Sequence, residues 1–452
     1  MPKCPKDNVF YRNLNWHYPK IVKGKGIYLY GEDGKRYIDG CSGSAVANIG
    51  HGNEEVAKAM EQQAKTIAFT HLSRFTTDVI ANLADRIAEM TPGDLNKSYF
   101  VSGGSEATET AIKMTRQYFL ERDGKTTKYK IIARKHSFHG NTIGALSMTG
   151  HVGRRRKYIP YLAEFPHIVA PYCYRCPYEE SYPECGVRCA YALEEEIKEQ
   201  GPENVAGFIA EPVVGSACPG MHPPKEYFSI IREICDRYDV LMIIDEVMAG
   251  FGRTGKNFGI DHYGVVPDIM TTAKGMSCGY SPLGAAVVSD KIYDTFAQGS
   301  GRFVHGHTYG GNPLSCAVGC TVLDIIKREN YIENARVQGE HLMEKLQKLY
   351  EYPIVGDIRG RGLMIGIEFV KDQKTKEPFD TSANIQGKVT VSCLNHGLVV
   401  YPGGGSVDGI RGDHILIAPP INITGEEIDE LFDCLEKGIK DACESVNKGG
   451  RY

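Results

Sequence analysis

Pro267-Asp268-Ile269-Met270-Thr271-Thr272-Ala273-Lys274-Gly275 is the stretch on which the fold turns. An apolar run with β-branched residues ends abruptly in lysine and glycine. That is the pattern of a buried parallel strand delivering Lys274 at its carboxyl end. In open α/β sheets, ligands bind beyond the carboxyl ends of the strands. A lysine placed there is partly desolvated, which disfavours its ammonium form and frees the amine as nucleophile and base. Taken alone, Lys-Gly equally describes a surface lysine at the start of a loop, so the rest of the chain must decide.

Upstream, residues 240–244 form the most apolar strand and end in Asp245-Glu246-Val247, about one strand–helix–strand step before Lys274. Residues 205–210 lead into Glu211-Pro212, and 130–135 into Ser137-Phe138-His139-Gly140. Tyr99-Phe100-Val101 runs into Ser102-Gly103-Gly104-Ser105-Glu106-Ala107 and a helical pattern. A strand, a glycine turn and a helix start aim backbone N–H groups and the helix dipole at one point, which suits a phosphate. A tight turn without a ligand looks similar. Helical patterns cover 53–66, 76–90, 191–199, 226–238, 313–330 and 332–350, and residues 27–39 read as a β-hairpin about Gly31-Glu32-Asp33-Gly34. Strands alternating with helices predict an α/β fold with a mostly parallel sheet. The expected division is a large central domain, residues 61–329, and a small α/β domain built from 1–60 and 330–452.

The 452 residues carry a formal net charge of −4, so nothing global favours nucleic acid or an anionic membrane as a partner. No run of 18 apolar residues exists, and Met1 to Asn13 has no apolar core of the signal-peptide kind. With most of the 14 cysteines scattered singly, a reducing cytoplasm is expected. Four are clustered: Cys173, Cys176, Cys185 and Cys189, spaced C-x2-C-x8-C-x3-C. They suit a structural zinc or an iron–sulfur cluster, or else a plain thiol-rich or disulfide-bonded loop. A metal-binding interaction protein is the alternative class that this loop raises.

A ring cofactor held through a Schiff base needs a lysine, a carboxylate for a pyridinium nitrogen, a phosphate cradle and an aromatic face. Lys274, Asp245, residues 102–105 and Phe138 fill those places. On these stretches, with Gly250-Phe251-Gly252-Arg253-Thr254-Gly255 and His307-Thr308-Tyr309-Gly310-Gly311-Asn312-Pro313, the chain resembles the class III, or ω-amino acid, aminotransferases of fold type I. These use pyridoxal 5'-phosphate (PLP). The resemblance implies that Lys274 carries the cofactor and shuttles the substrate proton, and that Asp245 pairs with the ring nitrogen. It implies that Gly104 and Ser105 hold the phosphate. Phe138 and Val247 would cover the two ring faces, with His139 in the same site, although His139 alone also reads as a turn residue. Glu211 would position Asp245 or the ring. Thr308 would reach the phosphate of a neighbouring subunit, which implies a homodimer with shared sites.

Ser216 stands where ornithine, acetylornithine and 4-aminobutyrate enzymes carry a glutamate that neutralises a carboxylate-gripping arginine. The resemblance therefore points to donors that are β-amino acids or ω-amines, with 2-oxoglutarate or pyruvate as acceptor. Arg411 is the candidate clamp for that acceptor, or a solvated loop residue. Trp16, the only tryptophan, lines the mouth of the cleft or packs the N-terminal arm. The run Arg154-Arg155-Arg156-Lys157 reads as a solvated face, as dimer ion pairs, or as a polyphosphate dock. The chain is also similar to 3-aminobutyryl-CoA aminotransferases, which makes a CoA thioester a candidate donor. Free β-alanine, ω-amino acids or diamines remain alternatives, as does an aminomutase, racemase or decarboxylase on the same fold.

Overall fold

A computed structural model describes residues 4, 5, 7–124 and 127–447. Residues 1–3 and 6 of the N-terminal stretch lie outside the described residues. Three sheets organise the chain. The first joins β1 (Ile21–Lys25), β2 (Tyr28–Gly31) and β3 (Arg36–Asp39). The central sheet contains β4 (Leu95–Val101), β5 (Lys130–Arg134), β6 (His167–Ile168), β7 (Val205–Ala210), β8 (Leu241–Asp245), β9 (Ile269–Thr272) and β10 (Gly284–Ser289). Their order is β4-β10-β9-β8-β7-β5-β6. Only β10 runs against its neighbours. Six strands therefore end at the same edge. Every residue of β7, β8, β9 and β10 is buried, because helices cover both faces.

The third sheet joins β11 (Val355–Arg361), β12 (Met364–Phe369), β14 (Tyr401–Gly404) and β15 (Asp413–Ile417). A short strand, β13 (Leu398–Val399), leaves this C-terminal region and pairs in parallel with β3. Ile27 and Ile38 consequently share one apolar core with Leu342, Val389, Leu431 and Ile439. The first hairpin and the C-terminal region thus pack together around a separate core from that of the central sheet.

Arg253 ties these parts to one another. It is fully buried, and its Nη1 donates to the carbonyls of Leu363 (3.1 Å) and Pro419. Its Nη2 donates to Asn48 Oδ1 (2.6 Å) and Ser42 Oγ (3.2 Å). Burial lowers its pKa to about 10. Arg253→Met leaves four acceptors stranded and is expected to cost about 3 kcal/mol or more, read as a lower denaturant midpoint. Arg253→Lys should recover only part of the loss, because an ammonium cannot span all four acceptors.

Candidate active site

The shared edge of the central sheet gathers the sequence motifs. β8 and β9 are parallel neighbours, and Asp245 stands in register with Thr271. Lys274 thus emerges one short turn beyond its carboxylate neighbour. Asp245 is 4% exposed, and its two oxygens have different partners. Oδ2 lies 2.8 Å from His139 Nδ1, and Oδ1 accepts the Val247 N–H at 3.0 Å. His139 is itself buried, and its backbone N–H donates to Thr149 Oγ1 (3.0 Å). It orients Asp245 and is more than a turn residue.

Glu211 follows β7 and is buried. Its Oε1 accepts the Phe138 N–H and its Oε2 the Gly215 N–H, both at 2.9 Å. Burial pushes its pKa up, His139 pulls it down, and Asp245 adds to the rise. The observed work of Glu211 is to fix the loop that carries Phe138 and the turn that leads to Ser216.

The helix Gly104–Asp123 begins without a side-chain cap at Gly103, so its first-turn N–H groups face the edge where the strands end. Glu106 accepts the Ser102 N–H at 2.8 Å and steadies the turn. Ser105 Oγ accepts the Asn141 N–H at 3.1 Å, which joins this turn to the Phe138 loop. A Cβ on Gly104 would lie 2.7 Å from a Val247 methyl, so glycine is needed for that close approach.

Lys274 has a φ of +43°, a conformation that side chains other than glycine seldom adopt. Its Nζ has no hydrogen-bond partner among the described residues. Desolvation lowers its pKa to about 8, while Asp245 and Glu211 pull the other way and Arg154 and Arg253 reinforce the fall. Such strain and desolvation at a strand end mark a reactive group. The neutral amine is the nucleophile. The rate at which the apoprotein attaches an aldehyde cofactor should therefore climb about tenfold per pH unit well below pH 8 and level off above it. Stopped-flow absorbance from about pH 6 to about pH 10 checks this, and a rate flat across that range would contradict it.

Other expected residues lie elsewhere. Thr308 is exposed in the single chain. Arg411 is exposed, with its Nε paired to Asp408 Oδ2 at 2.7 Å. Trp16 lines a cavity of about 580 Å³ with Asn13, Ile21, Leu29 and Gln386, under the N-terminal segment. The cationic run divides: Arg154 turns towards Phe138, its guanidinium carbon 4.2 Å from the ring centroid, whereas Arg156 and Lys157 are exposed. Nothing in the run of four cations singles Arg154 out in sequence.

The metal expectation finds no support. Among the described residues, no three or more His, Cys, Asp or Glu side chains are arranged to hold a metal ion. Cys173 is exposed in a short turn, whereas Cys189 packs against the central core from the helix Arg188–Gln200. Burial pushes the Cys189 thiol up to about 12, which opposes the thiolate that a metal requires. All four thiols are free.

A desolvated lysine beside a buried carboxylate, under a helix N-terminus at a parallel sheet edge, is the equipment of a PLP-type transferase. The comparisons agree and narrow the class. The family model "Aminotransferase class-III" matches residues 12–439, and the chain belongs to that family. It is 39% identical to the uncharacterised aminotransferase YodT of Bacillus subtilis (94% of this chain, 96% of the relative). It is 36% identical to the diaminobutyrate–2-oxoglutarate transaminase of Halomonas elongata (95% and 92%). Among solved structures, the ω-transaminase of Pseudomonas jessenii in complex with PMP matches with a TM-score of 0.91 at 33% identity (98% of each chain). A transaminase from a marine Virgibacillus matches with a TM-score of 0.88 at 37% identity (95% and 94%). The protein is a class III aminotransferase with the fold of the PLP-dependent transaminases.

Proposed function

We propose that the chain transfers the amino group of a β- or ω-amino donor to a keto acid such as 2-oxoglutarate or pyruvate. The observation that carries this reading is the register of β8 and β9, which sets Lys274 one turn beyond Asp245. The residues fit PLP: an unpartnered amine, a buried carboxylate and an uncapped helix start share one sheet edge. Bound PLP supplies an aldehyde for amines and a ring that accepts the electron pair left when the amine-bearing carbon loses its proton. Lys274 Nζ would hold the cofactor until the donor's amine replaces it, and the freed amine would then take that proton and return it. Asp245 would keep a positive charge on the ring nitrogen, and His139, 2.8 Å from Asp245, would keep it aimed. Gly104 and Ser105 hold the phosphate, Phe138 and Val247 enclose the ring, and Glu211 fixes the Phe138 loop.

A homodimer in the cytoplasm is part of the same proposal. Exposed Phe69 packs edge-on to Tyr309 and exposed Leu72 lies beside Gly311 in the segment that carries Thr308, and an apolar patch of this kind suits a subunit interface. A second reading of the donor is a CoA thioester such as 3-aminobutyryl-CoA. It is favoured by a cavity of about 490 Å³ that presents Lys135 and Arg155, with Arg175 on its wall paired to Glu368 at 2.7 Å. Absorbance of the holoenzyme with β-alanine, 3-aminobutyrate and 3-aminobutyryl-CoA in turn tests the donor. The cofactor band should be lost with the true donor, and pyruvate or 2-oxoglutarate should restore it while forming the matching amino acid. A band unmoved by all three would remove the proposed donor class.

A further inference from the structure

Arg154 is a guanidinium without an anion. Its Nη1 donates to Ser216 Oγ at 3.0 Å, and its plane lies over Phe138. No carboxylate forms an ion pair with it among the described residues. It is half-buried, and the nearby charge of Arg12 adds to the positive field. Its charge is felt at Lys274, and Glu211 and Tyr401 lie within reach of it. Its hydrogen-bonding partners, the hydroxyls of Ser216 and Tyr401, are neutral, and a partly desolvated cation without a counter-charge is costly unless an anion completes it. Arginine presents those donors as a planar fork that matches a carboxylate.

Ser216 leaves the charge of Arg154 uncancelled. It is buried five residues after Glu211, at a turn that the Gly215 N–H holds to Glu211 Oε2. A carboxylate at that position would pair with Arg154 and cancel its charge. A hydroxyl instead fixes one edge of the guanidinium and leaves the charge intact. Arg411, by contrast, already spends its Nε on Asp408 at the surface.

We propose that Arg154, held by Ser216 and stacked on Phe138, is the subsite that binds the carboxylate of the keto-acid acceptor. The assignment rests on reading the cleft around Lys274 as the transamination site. Arg154 then sets a division of labour: the acceptor is recognised by its carboxylate, whereas a donor that lacks a carboxylate reaches Lys274 without this contact.

The test uses holoenzyme of the wild type and of Arg154→Met, Arg154→Lys and Ser216→Glu. Three quantities are read: KM for pyruvate in the acceptor half-reaction, KM for a carboxylate-free primary amine in the donor half-reaction, and the Kd of propionate from its shift of the cofactor band. Arg154→Met and Ser216→Glu should raise the pyruvate KM and the propionate Kd by about tenfold to a hundredfold, with the lysine variant in between. The KM for the amine should change by less than about threefold. An unchanged pyruvate KM and propionate Kd in Arg154→Met, or an equal loss in both half-reactions, would overturn the assignment; the second result would make Arg154 a support for Phe138 only. If no amine bleaches the wild type, the transamination reading itself fails. The propionate titration still decides whether Arg154 binds carboxylates.

Discussion

Lys274→Ala is expected to lower kcat by about 10⁴-fold or more, because in the proposed function one side chain would serve as cofactor anchor and as proton carrier. The protein should not become less stable. Lys274 is half-buried and its Nζ makes no hydrogen bond among the described residues, so its removal breaks no polar contact of the fold. The thermal midpoint of the apoprotein is therefore expected to match that of the wild type. The variant should still bind PLP through its phosphate and ring contacts, but reversibly, so that gel filtration strips it. A small exogenous amine should restore part of the rate, since the missing group is chemically simple. A variant with near wild-type turnover would remove Lys274 from the reaction.

Asp245→Asn is expected to lower kcat by about 10²–10³-fold with a much smaller change in cofactor content. Asparagine keeps the size of the side chain and an oxygen for one of its two partners, His139 at 2.8 Å and the Val247 N–H at 3.0 Å. It loses the negative charge. With Asp245 only 4% exposed, solvent cannot replace that charge. On the proposed reading, the ring nitrogen would then lose the anion that holds its proton, and electron withdrawal from the substrate carbon would weaken. Thermal stability of the apoprotein should fall little. An unchanged kcat would mean that another anion serves the ring, and Glu211 is the nearest alternative.

The strands that build the site were legible because they are fully buried and end in polar residues. Residues 205–210 form β7 as read, and the runs before Asp245 and Lys274 form β8 and β9. The antiparallel β10 escapes this reading, because apolar periodicity carries no strand direction. The N-terminal hairpin was visible from its turn, but its bond to β13 joins residues 38 and 398, a contact that no local pattern encodes. Arg154 was hidden inside a run of like charges, and only the fold separates it from Arg155. The cysteine spacing measured distance along the chain, whereas convergence on a metal depends on side-chain direction. The four thiols lie near one another, and burial against the core together with the other three thiols raises the pKa of Cys189, but they are not arranged to hold an ion. Arg253 lay in a glycine-rich stretch that resembles a phosphate loop; its burial among four acceptors makes it a clamp.

The central claim is that Lys274 carries the cofactor. Borohydride reduction of the PLP-loaded protein, followed by peptide mass spectrometry, tests it directly. A reduced pyridoxyl group is expected on the peptide that contains Lys274, and none in Lys274→Ala. A modified lysine elsewhere, with the Lys274 peptide unmodified, would contradict it.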